Sequence, residues 1–214
     1  MRVAIVGGPG IGKSTLVRQL GDLYHHGAYG EGEEGVWDPR VLEDIAAGRN
    51  PVGVTAYFGE LYDANYRDAA QHDGPDRVIF FEGARITLEA HIAEYPREFH
   101  DRLREVLVIG DHWNPDRIIV LTSSTDTVEK HIRLRHRSTE SVEPMVERFR
   151  LIDAEFRRLA PRYPNTVVID RDHKEFHHRQ GLLAIVEAAG LPPFREIPYR
   201  IMERYVREIG RAHV

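Results

Sequence analysis

Short apolar runs alternate with longer amphipathic stretches along this chain. Residues 2–7 (RVAIVG) form an apolar run closed by glycine, and residues 14–23 follow with helical character. Residues 77–81 (RVIFF), 117–121 (RIIVL) and 166–169 (TVVI) are equally short and β-branched, the composition of strands buried on both faces. Between them the spacing predicts helices over 38–47, 54–70, 125–137 and 180–189, the last ended by Gly190 and Pro192. A mostly helical stretch over 88–108 is broken near Pro96. The strongest periodicity covers residues 142–159, where Val142, Met145, Val146, Phe149, Ile152, Phe156 and Leu159 step by three and four. Residues 27–35 (GAYGEGEEG) read as a Gly/Glu loop, and no internal repeat is visible. Continuous apolar strands alternating with helices predict an α/β fold, a three-layer αβα sandwich around a parallel sheet of about five strands.

The chain has 214 residues and no cysteine, which excludes a disulfide scaffold, a thiolate metal site and a cysteine nucleophile. No apolar run reaches the ~18 residues that span a bilayer, and the N-terminus lacks a signal-peptide pattern, so no membrane partner and a soluble, cytoplasmic protein are expected. A formal net charge of −5 argues against broad affinity for nucleic acid. Of the 29 basic residues only Lys13, Lys130 and Lys174 are lysines.

Lys13 lies in the run Gly7-Gly8-Pro9-Gly10-Ile11-Gly12-Lys13-Ser14, which matches G-x-x-x-x-G-K-[ST] between a predicted strand and a predicted helix. Glycines let such a loop wrap phosphate with its N–H groups pointing inward, and the helix N-terminus adds partial positive charge. The match predicts a P-loop NTPase fold that binds ATP through Gly8, Gly10, Ile11, Gly12, Lys13, Ser14 and Thr15. Lys13 is placed to reach the β- and γ-phosphates, and Ser14 to ligate Mg²⁺. Neither D-x-x-G nor N-K-x-D occurs, which argues against a GTPase. Glu82 ends the strand around residue 80, at the rim where open α/β sheets bind ligands. There it is a candidate second Mg²⁺ ligand and the first choice of general base, with Glu31, Glu33 and Glu34 as alternatives. The segment His131-Ile132-Arg133-Leu134-Arg135-His136-Arg137 concentrates positive charge that phosphate would neutralise. It is expected to be a lid over about 131–141, with Arg135 and Arg137 catalytic.

These residues resemble the deoxynucleoside kinase and thymidylate kinase group of P-loop kinases, over about residues 2–188. The stretch NPDRIIVLTSSTDTVEKHIRLRHRSTE from Asn114 resembles that group's strand and helix leading into an R-I-x-x-R-x-R-x-x-E lid. Arg135, Arg137 and Glu140 fall on matching positions, and His131 stands where the group has the arginine that packs on adenine. Residues 166–176 resemble the last strand and adenine-side loop. The helix around Leu61-Tyr62-Asp63-Ala64-Asn65-Tyr66-Arg67 resembles the one whose arginine contacts the acceptor, with Glu60 in the place of a base-reading glutamine. Glu82-Gly83-Ala84-Arg85 replaces the group's acid-Arg-Ser run and moves the arginine by two residues. The group's acid-bearing second strand has no apolar counterpart near Glu31, Glu33 and Glu34.

The resemblance implies a kinase core over 1–190 that transfers the γ-phosphoryl group of ATP to a (deoxy)nucleoside monophosphate or a (deoxy)nucleoside. Tyr57, Glu60, Arg67 and Arg85 are the expected acceptor contacts. Alternatives are a kinase of a hydroxymethylated base within DNA, which the net charge disfavours, and a non-catalytic ATP-sensing module. Tyr57, Phe58, Tyr62 and Tyr66 read either as core or as a nucleobase stack. His25, His26, His173 and His177 read as surface histidines ahead of a metal site. A helical extension over 191–214, bearing Phe194, Tyr199, Arg200, Arg204, Tyr205 and Arg207, offers a homodimer contact, a second lid or a docking helix.

Overall fold

Val3, Ala4, Ile5 and Val6 of β1 (Arg2–Gly7) are fully buried, so both faces of this strand need cover. The computed structural model supplies it. It describes residues 1–31, 37–107, 114–135, 141–172, 174, 176 and 178–194, with Ala46 and Arg135 described through their backbone only. All five strands are parallel, in the order β2 (Ala28–Tyr29), β3 (Ile79–Glu82), β1, β4 (Arg117–Thr122), β5 (Thr166–Asp170).

The pleat sends alternate side chains to opposite faces. Val3, Ile5, Phe80, Ile119 and Leu121 meet Leu16 and Leu20 of α1 (Lys13–Tyr24) and Leu182 and Ile185 of α8 (Arg179–Ala188). Ala4, Val6, Ile118 and Val120 meet Ile86 and Ala90 of α4 (Arg85–His91) and Ile152, Phe156 and Leu159 of α7 (Val142–Leu159). Each fully buried Leu, Ile or Phe in these layers contributes about 1.5–3 kcal/mol. A third cluster packs Ile79 and Phe81 against Tyr62 and Tyr66 of α3 (Pro51–Gln71) and Leu103 of α5 (His100–Val106).

Tyr66 stacks on Phe81 with ring centroids 4.0 Å apart, so for Tyr62 and Tyr66 the core reading of the aromatic stripe holds. α2 (Pro39–Ala47) and α3 begin at proline behind caps, Asp38 accepting from Arg40 N at 2.9 Å and Asn50 from Gly53 N at 3.2 Å. The Asn50 cap carries α3 three residues further back than its apolar periodicity indicates. Around Pro96 the predicted helix divides into α4, two short 3₁₀ turns (Ile92–Glu94 and Arg97–Phe99) and α5. The Gly/Glu loop holds β2, which hydrogen-bonded pairing to β3 supports without apolar composition of its own.

α6 (Thr125–Arg135) leads toward the predicted lid, whose residues 136–140, with Arg137 and Glu140, lie outside the described residues. So do Glu33, Glu34, His173, His177 and the predicted helix of the C-terminal extension. Leu191 and Phe194 of that extension lie on the core, where Tyr24 donates to Pro192 O at 2.6 Å. Among the described residues no helix is long and apolar enough to cross a membrane.

Candidate active site

The strand order reverses direction at β1, and ligands of open parallel sheets bind outside the carboxyl ends at such a point. The loop of residues 7–12 leaves β1 there and feeds directly into α1, with Lys13, Ser14 and Thr15 in its first turn. Gly12, at φ +96°, turns the chain into the helix; a side chain there would also press on Arg171 Nη1 at 3.0 Å. Phe149 of α7 packs against Gly8 from below, so the loop rests on the core.

Glu82 ends β3 in register with Ile5, and this brings its carboxylate to the α1 N-terminus. Ser14 Oγ donates to Glu82 Oε1 at 2.8 Å. Lys13 Nζ lies 4.0 Å from the same oxygen and 3.4 Å from Gly8 O. Glu82 is only 5% exposed. Burial pushes its carboxyl above the usual range, and the charge of Glu31 adds to this; Lys13, Ser14 and the Glu31 backbone N–H oppose it. A second carboxylate, that of Glu31, therefore acts on the first. Glu31 follows β2, where Asn65 Nδ2 holds Gly30 O at 3.3 Å and Trp37 Nε1 holds Glu31 O at 2.6 Å. The Tyr62 hydroxyl donates to Glu31 Oε1.

On the other side of the loop lies Arg171, a residue that sequence reasoning did not single out. Its Nη1 donates to Ile11 O at 2.8 Å and meets His131 Nδ1 at 3.1 Å, while Nη2 reaches Lys174 O at 3.3 Å. Its guanidinium covers the Phe176 ring at 4.5 Å. Burial, then the Arg171 charge, pushes the His131 imidazole below its usual value and keeps it neutral. His131 and Phe176 thus flank the loop on the side where the adenine-side segment was expected.

The expected acceptor residues are less gathered. Arg67 is exposed and bonds to Asp63 at 2.7 Å, rather than reaching Glu60. Arg85 bonds to Glu89 at 3.1 Å. Glu60 is exposed, and the Tyr57 hydroxyl accepts from Asp38 N at 3.4 Å. Neither arginine's salt bridge touches the Ser14–Glu82 pair. Arg133 is tied to Glu129, one turn back on α6. A further cation sits on α7 beside Phe149: Arg148 forms a forked ion pair with Glu94, which also bonds to His91 Nδ1 at 2.7 Å. Burial opposes ionisation of Glu94, but His91 and Arg148 outweigh it and hold the carboxyl at about 2.

No protein-family model matches the chain, and no curated protein matches its sequence. Solved structures do. A deoxyadenosine kinase from M. mycoides, with dCMP and dCDP bound, superposes with a TM-score of 0.65 at 18% identity, over 87% of this chain and 97% of that one. A thymidylate kinase from Candida albicans gives 0.65 at 12% identity, over 87% and 90%. A NadR protein in complex with NR gives 0.52 at 18% identity, over 92% and 53%. The parallel five-stranded sheet, the loop and the layers of helices are those expected from the sequence, and the chain shares the P-loop fold of the deoxyadenosine and thymidylate kinases.

Proposed function

We propose that the protein is an ATP- and Mg²⁺-dependent phosphotransferase whose acceptor is a hydroxyl or phosphate of a (deoxy)nucleoside or (deoxy)nucleoside monophosphate. One observation carries this reading. Lys13, Ser14 and Glu82 converge under the phosphate-binding loop, and a second carboxylate stands beside them. The loop amides and the α1 N-terminus suit the phosphates of ATP, with Lys13 as the mobile cation. Ser14 Oγ and Glu82 are hard oxygen donors of the kind Mg²⁺ takes. Burial and Glu31 both oppose the charge on Glu82, and a cation there replaces the hydration it has lost. When bound, the ion withdraws charge from the phosphate oxygens.

The geometry suggests a division between the two carboxylates. Glu82 is engaged with Ser14 and Lys13, so we assign it to the metal, and Glu31 to the acceptor as general base in place of Glu82. His131 is assigned to the base of ATP. Arg135 and Arg137 keep the role of meeting charge on the transferring phosphoryl group. Arg67 reaches an acceptor phosphate only by leaving Asp63.

The test is phosphoryl transfer from labelled ATP to nucleosides, their monophosphates and DNA oligomers, with ATP consumption measured alongside. Transfer to a nucleoside or monophosphate, lost in a folded Lys13→Ala variant, is the expected result. ATP binding without transfer to any acceptor refutes the kinase reading in favour of a sensor, and transfer only to DNA refutes the acceptor class. Lys13→Ala within about threefold of wild type removes the assigned role of the loop.

A further inference from the structure

The Glu31 backbone N–H bonds to the Glu82 carboxylate, while the Glu31 charge opposes the charge on Glu82. Glu82 is secured by Ser14 and Lys13. Glu31 follows a strand of only two residues, and Asn65 and Trp37 hold its backbone rather than its carboxylate. The side chain is met by Tyr62, which is 2% exposed and reaches it from the middle of α3.

Space for this phenol is made by the residue after Glu82. A Cβ on Gly83 would lie 2.3 Å from Tyr62 Cζ and 2.6 Å from its hydroxyl oxygen, and Gly83 has φ +100°. Only glycine at this position lets the Tyr62 ring lie across the end of β3 and deliver its hydroxyl to Glu31. Burial, and next the charge of Glu31, push the Tyr62 hydroxyl well above its usual value, so it remains a proton donor at neutral pH. The guanidinium within electrostatic reach of Glu31, Arg148, is taken up in its forked pair with Glu94, and Tyr62 donates the hydrogen bond to the carboxylate.

We propose that Tyr62 is a positioning residue: its hydroxyl, admitted by Gly83, holds the Glu31 carboxylate beside Glu82 in the orientation that takes the acceptor's proton. This rests on the kinase reading above with a nucleoside hydroxyl as acceptor, since an acceptor phosphate brings no proton for Glu31 to take. In the step it serves, the acceptor oxygen forms a bond to the γ-phosphorus of ATP while the bond from that phosphorus to the β–γ bridging oxygen breaks. The bridging oxygen keeps the electron pair and leaves on ADP. The acceptor hydroxyl's proton goes to Glu31. Tyr62 keeps its own proton throughout. A neutral donor fixes the carboxylate without neutralising it, whereas a guanidinium would bind the charged form more strongly and weaken it as a base.

The test combines kinetics with a structural readout. Tyr62→Phe keeps the ring in the core and removes only the hydroxyl. Its kcat is expected to fall roughly 10- to 100-fold, the value of a hydrogen bond to a charged group, with the KM for ATP within about twofold and the variant still folded at the assay temperature. In a Glu31→Gln background, where no base remains to orient, Tyr62→Phe is expected to cost nothing further. Crystals of wild type and Tyr62→Phe are expected to show the Glu31 carboxylate beside Glu82 in the first and turned away in the second. Wild-type kcat in Tyr62→Phe, an equal further loss in the Glu31→Gln background, or an unmoved Glu31 overturns the proposal. Failure of the kinase reading looks different. Glu31→Gln then transfers phosphoryl at the wild-type rate, or wild type accepts no acceptor, and the catalytic role of Tyr62 falls with it.

Discussion

Arg171 offers the sharpest test of how the phosphate-binding loop is held. It is 9% exposed, bonds to the Ile11 carbonyl at 2.8 Å and lies 4.5 Å over the Phe176 ring. Arg171→Ala deletes a charge-assisted hydrogen bond of roughly 1.5–3 kcal/mol and a desolvated cation–π contact of about 1–2 kcal/mol. It also leaves the Ile11 carbonyl without this donor. Against this stands relief of a buried charge: burial lowers the Arg171 pKa, and Nε has no hydrogen-bond partner among the described residues. The net loss is about 2–4 kcal/mol, or roughly 5–15 °C in melting temperature for a chain of this size. Because Ile11 and Gly12 form the loop itself, the affinity for ATP is expected to fall with stability. Arg171→Lys, which keeps the charge but not the fork, is expected to recover less than half of either loss. Melting by calorimetry and ATP titration at a temperature where each variant is folded measure the two effects separately. A melting temperature within 2 °C of wild type, or a destabilised variant with wild-type ATP affinity, refutes the idea that this guanidinium braces the loop.

Glu82→Gln is expected to abolish transfer while raising the stability of the ligand-free protein by about 0.5–2 kcal/mol, since it removes a charge that burial disfavours. The folded state holds the Glu82 proton more tightly than the unfolded state, so wild type loses stability as pH rises from the usual carboxylate range through the raised value; thermal melts from pH 4 to 8 should show the variant's advantage growing over that interval, and a constant difference would contradict the assignment. Asp172 accepts Ser124 N at 3.1 Å and the Ser123 hydroxyl, capping α6 from another segment; slight burial opposes its charge, but these hydrogen bonds outweigh it and lower the carboxyl to about 2. Asp172→Ala is expected to cost about 0.5–2 kcal/mol at neutral pH. The depressed value makes that stability present above the unfolded pKa of about 4 and lost as pH falls toward 2, so melts in which the deficit persists at pH 2 would refute the cap.

The fold was largely legible because its signals are local. After their leading arginines, RVAIVG and RIIVL have no polar position for a solvent-facing side, and only a sheet covered on both faces accommodates that pattern. The seven apolar positions of residues 142–159 required one helical face, and α7 covers that span. β2 was hidden for the opposite reason. Ala28 and Tyr29 gain strand geometry from pairing with Phe80 and Phe81, a contact between residues about fifty positions apart that leaves no periodicity in so short a run. The split of residues 88–108 at Tyr95 and Pro96 was visible as a proline, but the two 3₁₀ turns on either side of it leave no periodicity in runs of three residues.

For the site, the same contrast falls between the phosphate side and the acceptor side. A phosphate loop is a backbone device, and its glycines, lysine and serine occupy fixed places in a continuous stretch; Gly12 and Ser14 were readable without any knowledge of the fold. An acceptor pocket is assembled from side chains whose availability depends on what they pair with. In a chain with 29 basic residues, most of them arginine, sequence alone does not separate an arginine that reads a substrate from one that neutralises a neighbour. The structure draws that line through partners. Arg67 with Asp63, Arg85 with Glu89 and Arg133 with Glu129 are one-turn helical pairs of the ordinary solvent-facing kind, each worth only a few tenths of a kcal/mol. Arg148 with Glu94 and Arg171 with Ile11 join separate elements, the first partly and the second fully buried. Cross-element pairing cannot be read from i, i+4 spacing. The carboxylates follow the same rule: Glu82 announced itself at the end of an apolar strand, whereas Glu31 was one of three neighbouring glutamates open as alternatives, and what distinguishes it is contact with Tyr62 and Glu82, which the fold brings to it.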